Sequence, residues 1–112
     1  MNPRNLFLSL PLALLMGCTM QQTPAFDSQA WQSQRGADPQ QNRRGTMVEA
    51  VEGVVRAGMT RAEVVALLGE PDSADPGTDI YELGVSPVGI DEEYYEVGYE
   101  DGRVSSHGWR RR

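Results

Sequence analysis

Apolar residues divide the chain into three stretches by their spacing. From Leu6 to Met16 they form a run interrupted only by Ser9 and Pro11, behind a cationic start made by Arg4 and the initiator amine. From Thr19 to Gly45 the chain is rich in Gln, Ser, Pro and Arg, and the isolated Phe26 and Trp31 fit no period of 2 or 3.6. From Thr46 to Trp109 periodicity returns, first helical and then alternating.

The helical part is punctuated twice in the same way. Thr46-Met47-Val48-Glu49 and Thr60-Arg61-Ala62-Glu63 both read as Thr-x-x-Glu capping boxes, in which hydroxyl and carboxylate satisfy exposed amides of a helix start. The first helix is expected to bury Val48, Val51 and Val55 and to end at Gly58, with Gly53 costing it about 1 kcal/mol relative to Ala. The second carries Met59 as a staple on Val64, an apolar stripe of Val64, Val65 and Leu68, a stop at Gly69, and Pro71 to forbid continuation. After the turn cluster Asp75-Pro76-Gly77 the pattern becomes that of strands. Asp79 to Val85 places Tyr81, Leu83 and Val85 on one face, and Ser86 to Gly89 is a loop. Glu92 to Glu100 sets Tyr95, Val97 and Tyr99 against Glu92, Tyr94, Glu96 and Glu100, and the Asp101-Gly102 hairpin returns the chain through Arg103 to Trp109. The predicted fold is α+β, two helices packed on a three-stranded antiparallel sheet (ααβββ), over 46–112.

The first stretch, 1–17, is too short to span a bilayer comfortably and has the layout of a signal peptide. At its end stand Leu15-Met16-Gly17-Cys18, which resemble the bacterial lipobox. That resemblance makes the Cys18 sulfur the nucleophile for diacylglycerol, and acyl chains such as palmitate then contribute about 0.8 kcal/mol per buried CH₂. An ordinary cleaved signal with an incidental cysteine, or an uncleaved helix, is the alternative. Thr19 rather than Asp after Cys18 favours, by resemblance to the enterobacterial sorting rule, the outer membrane, with the protein facing the periplasm. Residues 18–45 then read as the lipidated cysteine and a flexible tether, which as a coil spans about 28 Å. Phe26 and Trp31 are incidental aromatics of that linker, or else contacts for the membrane interface or a partner.

Charge and composition narrow the chemistry. The net charge of -6 argues against nucleic acid, which needs clustered cations. A single cysteine excludes an intramolecular disulfide, and a single histidine argues against a His-based metal site. From Asp79 to Asp101 there are eight acids and no base, but they alternate with apolar residues instead of forming a ligand-spaced loop, so they read as a solvated strand face. Glu92 and Glu93 point to opposite faces of a strand and cannot act jointly on one substrate. His107 has no nucleophilic partner once Cys18 is acylated. No catalytic residue, cofactor or metal is therefore assigned. Tyr94, an aromatic among acids on the face away from the core, is grouped with His107 and Trp109 of the neighbouring strand as a partner-binding patch. Arg110 to Arg112 read either as a contact for anionic headgroups or as a frayed, solvated tail.

The stretch Gly58-Met59-Thr60-Arg61-Ala62-Glu63-Val64-Val65-Ala66-Leu67-Leu68-Gly69-Glu70-Pro71 resembles the signature of the SmpA/OmlA (BamE-like) lipoproteins, G-M-T-x-x-x-V-x-x-x-L-G-x-P. With the lipobox upstream and aromatic strands downstream, the likeness covers Thr46 to Trp109. It implies the same ααβββ unit and a non-catalytic accessory role in outer-membrane assembly or integrity, with the β-barrel assembly machinery as partner. The same unit also occurs in inhibitor domains that bind β-lactamases, so an inhibitor or adaptor of a periplasmic protein is the second class. Gly58, Thr60, Gly69 and Pro71 each have a complete structural reason in capping and helix termination.

Overall fold

The second capping box forms as the sequence predicts. In the computed structural model, which describes residues 25–112, the Thr60 side chain accepts from the Glu63 amide at 3.1 Å and the Glu63 carboxylate accepts from the Thr60 amide at 2.9 Å. The helix they start spans Arg61–Leu68 and buries Val64 and Leu68. It stops at Gly69, whose φ of 78° suits a residue without a Cβ.

The first capping box does not form. Thr46 sits inside a 3-10 turn, Arg44–Met47, and its hydroxyl donates backward to the Arg43 carbonyl at 2.8 Å. The α-helix that follows spans only Val48–Val54, with no side-chain cap, and Val55 is already extended. Val55 is buried all the same, so the expected apolar stripe is kept by chain that has left the helix before Gly58.

Among the described residues three helices, not two, pack against the sheet. The additional one, α1, spans Ser28–Gln32 and lies in the stretch expected to be a flexible tether. Residues 25–45 are instead part of the packed unit: Trp31 is fully buried in the core cluster, and Phe26 packs against that cluster from its edge. Neither aromatic is incidental. With α2 as Val48–Val54 and α3 as Arg61–Leu68, α1 docks on the end of α3 through polar groups. The Ser28 hydroxyl donates to the Leu67 carbonyl at 2.6 Å, and Arg35 donates to the carbonyls of Glu70 and Pro71, each at 3.1 Å. These acceptors are the orphan carbonyls that a helix C-terminus and the chain after it must satisfy. Arg44, 1% exposed, locks the other end of the segment: its guanidinium stacks over the Trp31 ring at 4.7 Å, donates to the Trp31 carbonyl at 2.9 Å, and pairs with Asp72 at 3.2 Å. Burial lowers the Arg44 pKa, and Asp72 opposes that effect.

Among the described residues the sheet has four antiparallel strands where three were expected. They are β1 (Ser73–Asp75), β2 (Thr78–Val85), β3 (Glu92–Glu100) and β4 (Arg103–Arg111), in spatial order β1-β2-β3-β4. β1 was hidden by its length, because three exposed residues carry no alternation. The Asp101-Gly102 turn forms as predicted, both residues having positive φ. Tyr81, Leu83, Tyr95, Val97, Tyr99 and Val104 meet Val51, Val55, Val64, Leu68 and Trp31 in one core on one face of the sheet.

Beyond β1, the free edge of β2 is closed by the segment before α2. The Val85 amide donates to the Pro39 carbonyl at 3.0 Å, and Asn42 donates to the Glu82 carbonyl at 3.0 Å. The approach is so close that a Cβ on Gly84, whose φ is 93°, would overlap the Pro39 carbonyl. The signal-peptide stretch 1–17 and Cys18 lie outside the described residues.

Candidate interaction surface

Cross-strand partners lie on the same face of a sheet, so register decides which candidate residues meet. Tyr94 pairs with Arg110 and with Glu82, whereas Tyr95 pairs with Trp109 and Val97 with His107. Tyr94 therefore stands on the open face, and His107 and Trp109 stand on the helix-covered face. The expected patch of all three is divided by the sheet itself. The register shift at Gly98/Tyr99 decides this, because the extra residue in β4 reverses the alternation beyond it.

On the open face the C-terminal arginines are ordered. Arg112 forks onto Glu82 at 2.9 and 3.0 Å, stacks over the Tyr94 ring at 4.6 Å, and donates its amide to the Glu92 carbonyl at 2.9 Å. Arg110 pairs with Glu96 at 3.2 Å. The hydrogen bond with Glu82 is the main reason the Arg112 pKa is raised. Each exposed pair contributes up to about 1 kcal/mol. Of the three cations that read as a frayed or lipid-seeking tail, Arg110 and Arg111 are thus strand residues and Arg112 follows them directly, all three matched to acids of β2 and β3; of the acids read as solvated, Glu82, Glu92, Glu93 and Glu96 are matched in turn.

On the other face His107 shares a hydrogen bond between its Nδ1 and the Tyr95 hydroxyl. Trp109 is 38% exposed, with the Arg111 guanidinium 5.1 Å from its ring. Arg111 also approaches Glu93 at 3.8 Å, while Glu92 lies near Arg112, so these adjacent acids do point to opposite faces. Asp79 departs furthest from the expected solvated face. It is 1% exposed, accepts from Arg61 at 3.0 Å and from the Tyr99 hydroxyl at 2.9 Å, and holds α3 to the β1–β2 hairpin, whose Asp75 and Pro76 carbonyls Arg61 also caps. The hydrogen bond to Asp79 is the main reason the Arg61 pKa is raised.

The β2–β3 loop adds a feature that the strand pattern passed over. Val88 and Ile90 are 95% and 90% exposed, on either side of Gly89, at the end of the sheet where β4 finishes. The signal was two aliphatics in a turn of otherwise small and polar residues. A shallow groove between α2 and α3, lined by Val54, Met59, Ala66 and Leu67 with Arg56 and Glu63 at its rim, is the other apolar surface.

Among the described residues no cluster of three or more His, Cys, Asp or Glu is arranged to hold a metal ion, and no helix is long and apolar enough to cross a membrane. No protein-family model matches the chain, and no curated protein matches its sequence.

Proposed function

We propose that this chain is a lipoprotein of the bacterial envelope, held at the periplasmic side of the outer membrane by acyl chains on Cys18, and that its folded part is a non-catalytic protein-interaction module. The observation that carries this reading is the sequence Leu15-Met16-Gly17-Cys18, which sets the only cysteine of the chain at the end of a short apolar run behind a cationic start. Exposed Trp109, Val88 and Ile90 support a role in contacts, because solvent-facing aromatics and aliphatics at one end of a small sheet are typical of binding surfaces. The resemblance of Gly58 to Pro71 to the SmpA/OmlA signature supports an accessory role in outer-membrane assembly or integrity.

Anchoring and partnership are tested separately. Cells fed labelled palmitate incorporate it into the wild-type chain and not into Cys18→Ala; a wild-type chain that stays unlabelled removes the anchor. A photo-crosslinking residue placed at Trp109 in intact membranes recovers components of the β-barrel assembly machinery if the accessory role is right. Recovery of soluble periplasmic proteins alone replaces that role with an inhibitor or adaptor.

A further inference from the structure

The two outer strands of the sheet are finished differently. β1 covers the first part of the β2 edge, and the segment from Pro39 to Asn42 covers the rest. β4 is covered only at its start, where Val104 exchanges backbone hydrogen bonds with Gly58 and Met59 and Arg103 bridges Thr60. Register fixes what the remainder presents. The Arg112 amide donates to the Glu92 carbonyl, so residues 106, 108, 110 and 112 face β3, and the backbone groups of His107, Trp109 and Arg111 face outward. Among the described residues none of their three amides has a partner, and of their carbonyls that of Trp109 accepts from the exposed Arg110 side chain at 3.0 Å, which an incoming strand would displace.

An open, regular edge of this kind is a template for another strand. Its side chains decide which strand fits. β4 holds Arg103, Arg110 and Arg111 and no acid, and the side chains of Arg110, Arg111 and Arg112 remain 45%, 52% and 47% exposed despite their pairings. A second copy of β4, antiparallel about Trp109 at the centre of the open stretch, would set the two Arg110 side chains diagonally across the seam with no acid in either strand, and like charges that close are destabilising. An extended segment with acids in alternate positions meets cations instead, and its apolar positions can lie on Trp109. We infer that the β4 edge from His107 to Arg111 is a docking site that takes an extended acidic segment of a partner protein as a fifth strand. This rests on the protein-interaction reading above and names the partner's chemistry.

Amide hydrogen exchange on the full lipidated chain in detergent tests it, with a short synthetic peptide of alternating glutamate and valine as probe. The expected result is exchange slowed about tenfold or more at His107, Trp109 and Arg111 and unchanged at Ser106, Gly108 and Arg110, an alternation that only strand pairing produces. The effect weakens as salt is raised. A lysine-valine peptide and an N-methylated glutamate-valine peptide should have none. Arg111→Pro, which removes an outward amide and no ladder bond, should abolish it while the chain stays folded. Exchange that stays fast at saturating peptide overturns the proposal, as does equal binding of the N-methylated or the lysine peptide. A concentration-dependent dimer protected at the same three amides overturns the choice of occupant. If Arg111→Pro still captures the wild-type partner in membranes, the interaction reading stands and strand addition falls. Absence of any captured partner for the wild type strikes the underlying reading, which the synthetic-peptide experiment does not depend on.

Discussion

At Asp79 the chain buries a carboxylate where the alternation of its strand demands a core residue. A buried charge is tolerated only with partners that replace water, and here Arg61 and Tyr99 do so while Arg61 lies over the Tyr99 ring at 4.4 Å. Removing one partner leaves the charge without its compensation. Arg61→Ala is therefore expected to cost about 3 kcal/mol in urea unfolding, and Tyr99→Phe about 1 kcal/mol. Equal small losses below about 0.5 kcal/mol would show that water reaches Asp79 and does the work of both. The placement of Asp79 was legible, since Asp79, Tyr81 and Leu83 share one face by a period of 2. Residue type misled, because a carboxylate in an acid-rich run reads as solvated and its cation lies eighteen positions upstream. Gly84 shows the opposite case, a position whose demand cannot be read from its neighbours. Its positive φ and the Pro39 carbonyl over its Cα require glycine together, so Gly84→Ala is expected to lower the denaturation midpoint by the equivalent of about 2 kcal/mol or more.

Between elements, the same four-residue motif has two outcomes, and the difference lies in what precedes it. Thr60 is extended, with a ψ of 159°, because the chain reaches it through Gly58 and the bridge to Arg103, which aims its hydroxyl at the helix start. Thr46 arrives already coiled in a 3-10 turn that Arg44 anchors to Trp31 and Asp72, so its hydroxyl turns back to Arg43. Thr60→Ala is expected to cost about 1 kcal/mol and Thr46→Ala only a few tenths, measured side by side by thermal unfolding. Equal losses would mean that Thr46 caps α2 in solution. The element missed altogether, α1, is five residues long, too short for a period to appear, and it is held by long-range hydrogen bonds and one stacked cation that no local window contains. Trp31→Ala measures what that segment contributes. A loss of about 3 to 5 kcal/mol, enough to unfold a marginal domain of this size, is expected if Trp31 is core, against nearly none if it belongs to a tether.

Over the whole molecule the sheet separates two kinds of stabilisation. Among the described residues one face is sealed by three helices and the segment between α1 and α2, and the other is open and carries paired arginines and glutamates whose worth falls as salt rises. Tyrosines report on the sealed side. Burial, first among the causes, raises the pKa of Tyr81, Tyr95 and Tyr99, so the folded chain holds these three protons more tightly than the unfolded chain does. The stability this represents is complete below the unfolded tyrosine pKa of about 10 and is lost as pH rises from there toward the folded values. Alkaline titration followed both by tyrosinate absorbance and by circular dichroism should show the three phenols ionising together with loss of the fold. Absorbance that rises fully near pH 10 while the dichroism holds would place them in contact with water. Tyr95→Phe, which removes the phenol bonded to His107 and keeps the ring, should shift that unfolding to higher pH at a cost of about 1 kcal/mol near neutrality. An unchanged alkaline midpoint would mean that Tyr81 and Tyr99, the phenols nearest Asp79, govern the transition alone.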